Sequence, residues 1–68
     1  MKDNVFGRRL KELRIEKGLS QKKLGEVFCV CNQTVSFWES GNREPDLDML
    51  LEIAHFFEVP VDFLLEEK

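Results

Sequence analysis

The sequence predicts an all-α fold of five short helices. Apolar residues recur at helical spacing along nearly the whole chain, capping and stopping residues break that pattern into segments, and no stretch alternates apolar and polar side chains as a half-buried strand would. A chain of 68 residues has room for one domain and one core, burying about 60% of its unfolded surface. Its 43% hydrophobic and 34% charged content belongs to a folded globular chain rather than a disordered tail.

The first helix is expected to open at Asp3 or Asn4, either of which can cap free amides, and to carry Phe6, Leu10 and Leu13 on one face. Gly18 ends it, after Lys17 in the last turn. Ser20 caps the second, which turns Leu24 and Phe28 inward and Lys22, Lys23 and Glu26 outward. A break at 29–32 leads to a third helix from Gln33 to Trp38, with Val35 and Trp38 one turn apart. The segment Ser40 to Asn42 closes it. The fourth follows Pro45 and Asp46 and runs from about Leu47 to Phe57, burying Leu47, Leu50, Ala54 and Phe57 and leaving Glu52 and Glu58 in water. Pro60 stops it, and Val61 to Glu67 form a last short helix whose Val61, Leu64 and Leu65 close over the core. No linker, repeat or low-complexity stretch divides the chain, so residues 1–68 are read as one domain.

Composition narrows the function classes. The net charge is -3, which argues at first against a polyanionic partner. Its distribution reverses that. Residues 1–43 hold nine Lys or Arg against five acids, and residues 44–68 hold eight acids against Lys68. One end is locally basic, and the local field steers a polyanion. No apolar run approaches the length of a membrane span, and the stretch Met1 to Phe6 lacks the apolar region of a signal peptide, so the expected location is the cytoplasm, away from membranes. Cys29 and Cys31, one residue apart, supply neither a disulfide staple nor a zinc site by themselves. His55 is the sole histidine and is distant in sequence from both. With no glycine-rich phosphate loop and no nucleophile arrangement either, no enzyme, no metal and no cofactor is expected.

The segment from Ser20 to Glu39 has the plan of a helix-turn-helix, in which one helix stands proud and enters a groove while the other braces it. Leu24, Phe28, Val30, Val35 and Trp38 are placed to pack together, leaving Asn32, Gln33, Thr34, Ser36 and Phe37 outside. Asn and Gln match the hydrogen-bonding edge of adenine, and Thr offers a hydroxyl and a methyl for thymine. Gln21 can present its amide, with nearby backbone N–H groups, to a phosphate. Taken alone, these side chains describe a solvated polar face equally well.

From Leu10 to Leu65 the sequence resembles the lambda-repressor and Cro-like helix-turn-helix family, the XRE class. The resemblance rests on the run from Leu10 to Gln21 (LKELRIEKGLSQ), on Leu24, Val30, Thr34 to Ser36, and on Trp38 to Asn42 (WESGN). Pro45, Leu47, Leu50, Leu51, Ala54 and Val59 to Asp62 (VPVD) complete it. It implies a third helix in the major groove of double-stranded DNA and operator binding as a homodimer on paired half-sites. By position, Asn32, Gln33 and Phe37 look like base-facing residues, with Thr34 and Ser36 beside them. Gln21, Lys22, Asn42 and Arg43 look like phosphate contacts, and Arg14 and Glu39 match an ion pair tying the first helix to the third. Phe56, Phe63 and Leu65 fall where relatives often dimerise.

Several residues depart from the family's pattern. Cys29 stands where a turn glycine is usual, at a cost of about 1 kcal/mol. Cys31 replaces the usual Ser or Thr cap, which Asn32 could replace in turn, and Glu58 replaces a common helix-ending glycine. Phe37 stands where a polar or basic residue is common, so it either touches a thymine methyl, marks a protein-binding surface or folds against Arg43 and the loop. The leading expectation is a transcriptional repressor that blocks polymerase access. RNA polymerase or another protein is a further candidate partner, and the rival is an antitoxin-like or anti-repressor protein-interaction module.

Overall fold

A computed structural model describes residues 4–66 as five helices. They are α1 (Val5–Glu16), α2 (Gln21–Phe28), α3 (Asn32–Ser40), α4 (Leu47–Phe57) and α5 (Val61–Leu65). The order and type of all five agree with the sequence. Helix α3 is longer than the expected Gln33 to Trp38, taking in Asn32 in front and Glu39 and Ser40 behind. Helix α5 ends at Leu65, and residue Glu67 of the expected helix lies outside the described residues.

The core is contiguous and takes side chains from every helix: Phe6 and Leu10 from α1, Leu24 and Phe28 from α2, Val35 and Trp38 from α3, Leu50, Ile53, Ala54 and Phe57 from α4, and Leu64 from α5. Two expectations for it fail. Leu47 is 68% exposed, because it is the first residue of α4 and Ile53, one turn behind Phe57 and three after Leu50, takes the inward place. Leu65 likewise lies on the surface rather than over the core, where Leu64 is fully buried. Leu13, Val30 and Val61 pack on the core while only partly buried.

Four helices end in the same way. In a Schellman motif the residue after the helix is left-handed, and two N–H groups reach back five and three residues to carbonyls of the last turn. Gly18 (φ 72°), Cys29 (φ 60°), Gly41 (φ 87°) and Glu58 (φ 58°) hold the left-handed position. The long bonds run from Leu19 N to Arg14 O at 3.1 Å, Val30 N to Gly25 O at 2.9 Å, Asn42 N to Phe37 O at 3.0 Å and Val59 N to Ala54 O at 3.0 Å. Two of the four left-handed positions therefore carry a Cβ.

The helix starts are less uniform. Ser20 accepts from Lys23 N at 3.0 Å and Asp46 from Met49 N at 2.8 Å, as side-chain caps. Asn4 does not cap α1, contrary to expectation: it sits left-handed at φ 51° and makes no cap bond. Its Nδ2 instead donates to the Glu39 carbonyl at 3.1 Å, tying the entry of α1 to the end of α3. Asp3 lies outside the described residues. Beside that tie, α1 and α3 approach at Gly7, where an added Cβ would fall 2.5 Å from Glu39 O and 2.6 Å from Trp38 O. Those are backbone atoms, so only glycine permits this spacing.

Candidate nucleic-acid interface

Helices α2 and α3 are joined by residues 29–31, a turn too short to leave slack. Its tightness depends on Gly25 in α2, whose missing Cβ would otherwise fall 2.6 Å from Val30 O. Cys29 makes the turn in the left-handed region, as its place in the family's pattern implies. Cys31 is the N-cap of α3, but its side chain makes no bond to the free amides of the helix. Asn32 does not take over the cap, since it is already the first residue of the helix. Cys31 Sγ instead lies 3.3 Å from Thr34 Oγ1. The Thr34 hydroxyl, followed by the Thr34 amide, holds the Cys31 thiol below its ordinary pKa. Both cysteines are exposed free thiols.

The outer face of α3 begins with Asn32 and Gln33, both exposed, and continues through Thr34, Ser36 and Phe37, each half-buried. Val35 and Trp38 fill the opposite face and are buried. Of the expected reading residues, Asn32, Gln33, Ser36 and Phe37 share one side of the helix, while Thr34, one turn before the buried Trp38, lies at its edge beside Cys31. Asn42 and Arg43 are exposed just past its end. The Arg43 guanidinium lies over the Phe37 ring, 5.3 Å from its centroid, so Phe37 folds against the loop residue.

A buried ion pair fixes the pose of α3. Arg14 Nε meets Glu39 Oε2 at 2.6 Å, with Arg14 and Glu39 side chains only 11% and 5% exposed. Arg14 Nη2 donates to Glu39 Oε1 at 3.2 Å and Nη1 to the Leu19 carbonyl at 2.7 Å. Gln21 Nε2 also donates to Glu39 Oε1, at 3.1 Å. This last bond was not foreseen from the sequence. One N–H of the Gln21 amide is committed to Glu39, and the second is left for an external acceptor. Lys22 is exposed beside it, whereas Lys23 reaches Glu26 at 3.7 Å across the α2 surface.

Away from this face, Phe56 packs edge-on against Phe28 at 5.5 Å and Phe57 at 4.9 Å. Arg9 lies over the Phe63 ring at 4.6 Å. Both aromatics thus spend part of their area within the molecule, and Leu65 is more open. An apolar groove of about 630 Å³ opens between α2 and α4, lined by Val27, Phe28, Leu51, Glu52, His55 and Phe56. Among the described residues, no cluster of His, Cys, Asp or Glu suits a metal ion, and no helix is long and apolar enough to cross a membrane.

A family described as helix-turn-helix matches residues 10–64. Among known proteins, the chain is 37% identical over 62 residues to the SPbeta prophage-derived HTH-type transcriptional regulator YonR of Bacillus subtilis, covering 91% of this chain and 57% of that protein. It is 40% identical over 60 residues to the HTH-type transcriptional activator BcrR of Enterococcus faecalis, covering 88% and 29%. It is 42% identical over 62 residues to the HTH-type transcriptional regulator YgzD of B. subtilis, covering 88% and 94%. The chain thus spans 57% of YonR and under a third of BcrR, but nearly all of YgzD. All three carry the name of an HTH-type regulator of transcription, YonR and YgzD as uncharacterized ones, and none is named as an enzyme.

Proposed function

The chain belongs to the helix-turn-helix family, in its XRE class, and from that premise we propose that it is a sequence-specific reader of double-stranded DNA that regulates transcription in the cytoplasm. The observation that carries this reading is the arrangement of α3. Its first turn presents Asn32 and Gln33 to solvent, while Arg14 and Glu39 lock its far end to α1. A helix must be rigidly aimed for its amides to pair with base edges in the major groove.

In this reading Gln33 and Asn32 pair with base edges, and Thr34 and Ser36 contact base or sugar-phosphate beside them. Gln21 donates its free N–H to a phosphate while Glu39 holds the other, Asn42 offers its amide as a further hydrogen-bond donor, and Lys22 with the exposed lysines and arginines of helices α1 and α2 neutralises neighbouring phosphates. The acidic half is kept away from the polyanion. Two copies bind paired half-sites as a homodimer, with Phe63, assisted by Phe56 and Leu65, at the contact. Occupying the operator represses by blocking polymerase. The activator BcrR supports a second outcome for the same binding, in which the acidic half touches polymerase.

Selection of bound sequences from random duplex DNA tests the reading. A two-fold symmetric motif is expected, with a log-log salt slope of roughly -4 to -5 for four to six neutralised phosphates. The apolar groove between α2 and α4 favours the alternative, a protein-interaction module of antitoxin-like or anti-repressor type. Absence of any enriched motif, with affinity for a protein partner indifferent to salt, would establish that alternative instead.

A further inference from the structure

Phe37 follows Gln33 by four residues and so lies on the same stripe of α3, one turn further on. It has no hydrogen-bonding group. At a place facing base edges it can contribute to sequence choice only by apolar contact or through something it carries. The structure shows that it carries Arg43.

The chain after α3 turns back on itself through left-handed Gly41. Its carbonyl anchor is Phe37 O, which accepts from Asn42 N at 3.0 Å, Arg43 N at 3.3 Å and Ser40 Oγ at 3.2 Å. The backbone of Arg43 is thereby fixed to the very residue whose ring its guanidinium covers, at 5.3 Å. A phosphate, which the same guanidinium fork can also meet bidentately, can be approached from many directions and does not require this placement. Base reading does need it, since a guanidinium fork pairs with guanine O6 and N7 only in one orientation. The covered ring face is also no longer open to a thymine methyl.

We propose that Phe37 is a platform that places Arg43 on the reading stripe, where its guanidinium selects a guanine next to the base read by Gln33. Arg43 is then a specificity-determining residue and Phe37 its positioning residue. The inference rests on the DNA-binding reading above.

The test is selection from random duplex DNA with the full chain and its Phe37→Leu, Arg43→Lys and Arg43→Ala variants, each first shown to melt like the parent. The parent motif should contain a guanine column preferred roughly ten- to a hundred-fold. Phe37→Leu and Arg43→Lys should both erase that column, leave the Gln33 column standing and keep the parent salt slope, because both retain the charge. Combining them should add nothing further. If Arg43→Ala weakens all sequences alike and reduces the salt slope by about one with the motif intact, Arg43 is a phosphate contact and the proposal fails alone. Loss of a thymine column in Phe37→Leu, with the guanine column kept, also overturns it. A parent that enriches no motif refutes the DNA reading, and this proposal falls with it.

Discussion

Replacing Glu39 by alanine should cost this domain a large part of its stability. The carboxylate receives two bonds from Arg14, at 2.6 and 3.2 Å, and one from Gln21 at 3.1 Å, in a place where its side chain is 5% exposed. An exposed pair would contribute only about 0 to 1 kcal/mol. Removing one partner of a buried pair leaves the other charge uncompensated, at about 3 to 5 kcal/mol. Arg14 keeps its bond to the Leu19 carbonyl, so the lower end applies, about 3 kcal/mol. At roughly 4 to 8 °C per kcal/mol for a domain of this size, Tm should fall by about 12 to 24 °C. Urea unfolding followed by circular dichroism measures the loss, with the m-value checked for constancy. The double variant Arg14→Met/Glu39→Leu, which removes both charges together, should lie within about 1 kcal/mol of the parent. A Glu39→Ala loss below 1 kcal/mol would show that the pair behaves as a surface pair and does not brace α3.

Other changes probe single links of the same structure. Gln33→Ala should weaken specific binding by about 1 to 3 kcal/mol and relax one base position; unchanged operator affinity in a filter or anisotropy titration would mean that α3 enters the groove in another register. Cys29→Gly relieves a left-handed Cβ and should stabilise by about 1 kcal/mol in urea, and a destabilised variant would show that the turn is held by the side chain instead. Gly7→Ala forces a Cβ against two carbonyl oxygens, so α1 and α3 must part, at about 1 to 3 kcal/mol or more; a neutral result would contradict the close approach. The Cys31 thiol is held below its ordinary pKa by Thr34, so folding favours its thiolate. The stability linked to it is present above the ordinary thiol range and fades as pH falls through the lowered value. Alkylation of Cys31 should accordingly reach half-maximal rate at lower pH in the folded chain than in urea, and Thr34→Val should remove most of the difference.

What could be read in the sequence follows from locality. Helix starts at Ser20 and Asp46 and stops at Gly18 and Gly41 are decided by neighbours within one turn, and residue type alone reveals them. The inward stripe of α2 and α3 was equally plain, because its spacing is fixed by the helix. Asn4 was misread for the opposite reason: its amide answers to Glu39, 35 residues away, and no local rule contains that partner. The bond from Gln21 to Glu39 was invisible on the same account. Leu47 misled because the first residue of a helix can satisfy the apolar spacing while the core has already closed behind it. Gly7 and Gly25 gave no signal at all, since a glycine within a helix looks like a weakness until the backbone it admits is known.

Helix α1 touches both ends of the molecule's business. Gly7 sets it against α3, and Arg9, two residues on, covers Phe63 of α5. Two residues of a helix rise only about 3 Å, so these two contacts fall within a single turn of α1, and α3 and α5 are held to the same short stretch of backbone. In the proposed homodimer, a change of tilt in α1 would therefore move the α5 contact and the α3 reading face together, and a shifted half-site spacing is a change to be sought in this helix as well as in the residues that meet the bases.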